Sequence, residues 1–194
     1  MHTESSYPET AILIDADFLD YITYDFKRNF SRILNRELRD IDLSELLSYM
    51  ALDGGIQKNE SQEIGVMFIY DHSCPTFSIC HPASLKKELN GVAFKNELGE
   101  FCVSSFSTEG LTSVEEMFLD ALQSLASSND VKKLLVVGFN EHYGEKIVEI
   151  LKSATGKNII QFRMDEPSEK LPFHTEIIAY PIMGSLGIKS EELA

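Results

Sequence analysis

Basic charge is scarce in this chain: 17 lysines and arginines stand against 31 aspartates and glutamates, for a net charge of -14. That balance repels nucleic-acid phosphates and anionic membranes unless basic side chains gather on one face, so a polyanion-binding reading has to find its patch. Long apolar runs are missing too, and none approaches the roughly 20 residues that a membrane span needs. Residues 1–10 carry no basic start followed by an apolar stretch. A cytoplasmic protein with no membrane partner is therefore expected. Cysteine is limited to Cys74, Cys80 and Cys102. An odd number without secretory signals predicts thiols rather than a disulfide framework. No glycine-rich phosphate loop and no Gly-x-Ser-x-Gly elbow occurs, which argues against P-loop and hydrolase-elbow chemistry. Internal repeats and low-complexity segments are also absent.

What is present is layered. With 194 residues, 43% of them hydrophobic, the chain can bury one sizeable core. The length and the lack of an internal linker predict one domain over 1–181, with a polar arm at 1–10 and a loose tail at 182–194. Residues 11–15 read as a buried strand. Leu19, Ile22, Phe26, Phe30 and Ile33 then recur at helical spacing. Asp42 and Glu45 resemble a capping box ahead of a second helix that Gly54-Gly55 closes. Ile64–Tyr70 is strand-like, Asp71–Pro75 has turn chemistry, and Thr76–Cys80 is expected to return as a hairpin partner. A short helix at 82–90, a short strand at Phe101–Ser104 and a helix lined by Val114, Phe118, Leu122 and Leu125 follow. Leu134–Gly138 is apolar throughout, as a central parallel strand covered on both faces should be. A helix from Tyr143, a strand at Asn158–Arg163 and an edge strand at Glu176–Tyr180 complete the pattern. Alternating apolar strands and amphipathic helices predict an α/β fold of three layers, α/β/α, on a mainly parallel sheet.

The first strand ends on two acids, Asp15 and Asp17, where open α/β sheets place their ligands. Further acids fall at expected strand ends or helix starts: Asp71, Glu115 with Glu116 and Asp120, and Glu141. Two carboxylates about 4 Å apart repel by roughly 4 kcal/mol at an effective dielectric near 20, so a converging cluster must protonate, hydrate or hold a cation. Magnesium or manganese suits such oxygen ligands, and can activate water at a phosphodiester.

In this order of motifs the chain resembles the PIN-like nucleases, especially the NYN branch, over roughly residues 11–163. Ile14-Asp15-Ala16-Asp17 matches the family's first motif. Val114-Glu115-Glu116 followed by Asp120 is similar to the second, with Glu for the usual Asp. Val137-Gly138-Phe139-Asn140-Glu141 occupies the third, with Phe139 where the family's first Asp belongs and Glu141 approximating the second. The resemblance implies a divalent-metal RNA endonuclease with a degenerate site: Asp15, Glu115, Asp120 and Glu141 as candidate ligands of Mg2+ or Mn2+, and Asp17 beside them as a catalytic candidate. Arg28, Arg32 and Arg36, with Arg39 beyond, form one basic row that could meet RNA phosphates, and Tyr21 and Tyr24 lie nearby.

Plainer readings stand beside these. Asp15 and Asp17 can cap the following helix, and Ser113 with Glu116 has capping-box spacing. The arginine row can be an ordinary solvated face. Asp71-His72-Ser73-Cys74 and Cys80-His81 hold zinc-type ligands at a spacing no zinc motif uses, so ordinary reduced cysteines are expected. Two alternatives to the nuclease remain: a non-catalytic binding or assembly module of the same fold, meeting a protein partner or a second copy of the chain, and a haloacid-dehalogenase-like phosphatase with Asp15 as nucleophile.

Overall fold

The computed structural model describes residues 7–193. In chain order the elements are β1 (Thr10–Asp15), α1 (Ala16–Ile33), β2 (Ile41–Asp42), α2 (Leu43–Asp53), β3 (Glu63–Tyr70), β4 (Cys80–His81), β5 (Val92–Asn96) and β6 (Gly99–Ser107). They continue with α3 (Val114–Ser127), β7 (Lys133–Val137), α4 (Asn140–Ser153), β8 (Asn158–Arg163), β9 (His174–Ile177) and α5 (Ala179–Ser185). Seven strands form one sheet in the order β5-β6-β3-β1-β7-β8-β9, and only the β5–β6 pair is antiparallel. Alternation along β1 explains the layering. Ile12 and Ile14 face the core under α1, α2 and α5, while Ala11 and Leu13 face the core under α3 and α4. The result is a three-layer α/β/α fold with β1 at its centre.

Reading the parallel strands outward from β1, the chain first builds β3 and β6 on one side and then β7 and β8 on the other. The strand order therefore reverses between β1 and β7, and the carboxyl ends of those two strands flank the crevice where doubly wound folds bind ligands. Asp15 closes β1 and Gly138-Phe139 follows β7 at that point. Gly138 permits a close approach there, since a Cβ built on it would lie 2.5 Å from Ile147 Cδ1 and 3.0 Å from the Phe118 ring.

Several expectations are corrected. Thr76–Cys80 forms no hairpin with β3; Cys80-His81 instead pairs in parallel with Ile41-Asp42 as a separate two-stranded sheet. The hairpin is β5–β6, and β5 is a strand that the polar sequence around Lys95-Asn96 hides. The segment expected as a tail is packed: Ile182, Leu186 and Ile188 are buried in the core. Arg36 fixes its end through two bonds to the Glu192 carboxylate at 2.8 and 2.9 Å. Of the expected arm, residues 1–6 lie outside those described. Beyond them Glu9 accepts from the backbone of Lys132 and Lys133, and Tyr7 packs on the core. The last turn of α1 ends at Ile33. Ile33, placed by its spacing on the apolar stripe, is 70% exposed there.

Candidate functional site

The strand-end acids bind backbone. Asp15 is the N-cap of α1, and its Oδ1 accepts from Phe18 N at 2.9 Å. Its Oδ2 accepts from the Tyr143 hydroxyl, 128 positions away in α4, and the residue is only 2% exposed. Asp17 accepts from the backbone N–H of Asp71 at 3.2–3.3 Å, Asp71 from Ser73 N at 2.8 Å, and Asp20 from Ser78 N at 2.6 Å. These carboxylates fasten α1 and the loop after β3 to the end of the sheet, satisfying donors that neither helix nor strand supplies with partners.

The electrostatics follow from this packing. Burial pushes the Asp15 carboxyl above the ordinary carboxylate range, opposed by the bond from Tyr143. The Tyr143 phenol is raised as well, by burial and by the neighbouring Asp15 charge, so it stays protonated and donates. Asp17 is pushed up to about 6, first by burial and then by the charge of Asp15. The unfolded chain would titrate it near 3.8, so between these values the folded state binds the proton more tightly and ionisation weakens the fold as pH rises. An Asp17→Asn variant keeps an oxygen for the Asp71 N–H. Discounted for partial exposure, it is expected to be more stable than the parent by about 1–2 kcal/mol at pH 7.5, with most of the difference gone at pH 4. Urea unfolding at both pH values reads this; a gap that is constant with pH contradicts it.

The crevice itself is filled by aromatic rings. Phe139 stands beside Phe18 with ring centroids 4.8 Å apart, and beside His142 at 3.8 Å, both stacked. Tyr21 stacks on the same ring at 6.3 Å. The chain leaves helical angles at Tyr143, where φ is -136° and ψ is 24°, and below that kink the phenol reaches Asp15.

The four candidate metal ligands are not brought together. A divalent cation of this type needs several unshared oxygens facing one point. Both Asp15 oxygens already accept bonds, and Glu115 pairs with Lys146 Nζ at 2.6 Å. Asp120 is exposed on α3, and Glu141 lines a cavity whose walls do not include Asp15. Among the described residues no group of three or more His, Cys, Asp or Glu side chains is placed to hold a metal ion. The residues present therefore do not fit the magnesium or manganese centre that the motif order implies. Glu116 serves the capping box with Ser113.

The basic row is also divided. Arg36 is bound to Glu192 and Gly187 O, Arg39 holds Ser185 O and Glu45, and Arg28 pairs with Asp25 at 2.8 Å. Arg32 is exposed. The three cysteines are free thiols, and burial lifts the Cys80 thiol to about 12, so it is inert as a nucleophile.

Tyr143 was not visible as a site residue. Its spacing to Ile147 marks only a buried helix position, and nothing local announces a hydroxyl partner so distant in sequence. Asn140 and Gln161 were missed for the same reason. Gln161 on β8 is fully buried and donates Nε2 to Asn140 Oδ1 at 2.7 Å, while its Oε1 has no partner.

Fold and site together define a doubly wound α/β protein whose strand-end crevice is closed by stacked rings and a buried Tyr–Asp bond. The chain belongs to a family of unknown function, DUF6621, whose model matches residues 4–193. No curated protein and no solved structure matches it. Among the described residues no helix is long and apolar enough to cross a membrane.

Proposed function

We propose that this protein is a non-catalytic binding module built on a PIN/NYN-like α/β scaffold, in which the acids of a nuclease site have become structural ties. The observation that carries this reading is the state of Asp15: buried, with Oδ1 on Phe18 N and Oδ2 on the Tyr143 hydroxyl. A metal ligand or a nucleophile needs a lone pair facing substrate, and this carboxylate faces protein. The same geometry weighs against the phosphatase reading. Phe139 in the third motif puts a hydrocarbon ring where a ligand oxygen would be required.

The test is a divalent-ion titration of melting temperature together with an assay on single-stranded and hairpin RNA. Neither magnesium nor manganese should raise the melting temperature specifically, and no cleavage should follow. Manganese-dependent cleavage that disappears in Asp15→Asn, with folding intact, would falsify the module reading.

A further inference from the structure

We infer that the rim of the closed crevice is a docking cleft for an arginine-bearing basic segment of a protein partner; this deepens, and rests on, the binding-module reading above. Two cavities adjoin at Asn140, the first residue of α4. One, of about 230 Å³, has apolar walls from Phe18, Tyr21, Phe26, Phe139 and Met164. Its rim carries Asp25, Glu141 and Asp165 and no basic side chain. Asp25 is paired with Arg28, and Asp165 faces Arg163 at 3.7 Å, but Glu141 has no ion-pair partner among the described residues. The second cavity, of about 520 Å³, runs along α4, with Glu145, Glu149 and Glu169 against Lys152 and Arg163.

The chemistry selects the occupant. An apolar wall receives the methylene stem of a long basic side chain while its head stays with the carboxylates. Tyr21, 61% exposed, presents ring surface at the mouth, and a guanidinium stacks on such a ring better than an ammonium does. Beneath Asn140 the Gln161 amide keeps one buried polar atom unpaired, and whichever way that amide is turned the Asn140–Gln161 pair cannot satisfy itself. Asn140, whose Oδ1 accepts from Gln161 and whose Nδ2 donates to Phe162 O at 3.4 Å, is the polar wall residue shared by both cavities. Further basic residues of the segment meet Glu145 and Glu149 on the outer face of α4. The excess of acid along this path and the net charge of -14 favour a basic polypeptide and disfavour RNA.

The experiment uses the full chain, isotopically labelled for NMR, and a short peptide of alternating glycine and arginine. Addition of peptide should move the resonances of Tyr21, Asn140, Glu141 and Met164 in a saturable way. The same peptide with arginine replaced by citrulline, which keeps shape and loses charge, should bind at least tenfold more weakly. Glu141→Gln and Tyr21→Ala, both surface changes that leave the core intact, should each weaken the arginine peptide several-fold. Equal binding of the citrulline peptide, unchanged affinity in both variants, shifts confined to other surfaces, or displacement of the peptide by single-stranded RNA would each overturn the inference. Failure here without RNA cleavage removes the docking cleft alone, whereas Asp15-dependent cleavage removes the module reading beneath it.

Discussion

Asp15→Ala is expected to lose about 2–4 kcal/mol of stability at neutral pH, a fall in melting temperature of about 5–15 °C for a chain of this size. Two losses add. The first turn of α1 gives up its N-cap, worth about 1 kcal/mol, and the Tyr143 hydroxyl is left buried without an acceptor, at about 1–3 kcal/mol. Relief from a buried charge pulls the sum toward the lower end of that range, which is why the conservative change is informative. Asp15→Asn retains the cap and a polar partner for Tyr143 while removing the charge, and should stay within about 1 kcal/mol of the parent. Tyr143→Phe should cost about 1.5–3 kcal/mol by stripping the carboxylate of its charge-assisted donor. Combined with Asp15→Asn it should show a coupling of about 1–2 kcal/mol in a double-mutant cycle. Denaturant unfolding measures all four species. An alanine variant as stable as the parent would mean that the acid is retained at the expense of the fold, which is the mark of a working site and not of a tie.

Phe139→Ala is expected to cost about 2–3 kcal/mol, even though the ring is only half-buried. It removes the shared partner of Phe18, Tyr21 and His142, and each stacked pair is worth about 0.5–1.5 kcal/mol beyond the area it covers. Phe139→Asp, which writes back the acid of the resembled motif, should be at least as destabilising, because it sets a carboxylate against those rings near the buried Asp15. It should not confer RNA cleavage, since Tyr143 still holds Oδ2. Calorimetric melting with and without manganese gives the readout; a melting temperature restored by manganese in this variant would show that the crevice can reach a metal-holding geometry after all.

Much of the scaffold was legible in the chain because it rests on local periodicity. The continuous apolar runs of β1 and β7 and the 3.6-residue spacing of α3 are patterns of neighbouring side chains, and each element lies where its pattern places it. So does the Ser113–Glu116 capping box, which needs only residues three apart. Elements defined by distant partners were not legible. β4 pairs with β2 across nearly forty intervening residues, and the C-terminal segment is fixed by Arg36, just beyond the end of α1. The site divides along the same line. Sequence alone placed Asp15 at the carboxyl end of a buried strand; the strand order of the folded sheet put that end at the reversal point between β1 and β7. Tertiary structure decided what that acid does, because a carboxylate's role depends on which donors reach it: here a backbone N–H three residues away and a phenol 128 residues away. No repeat or spacing carries the second of these, and it separates a buried tie from a ligand facing solvent.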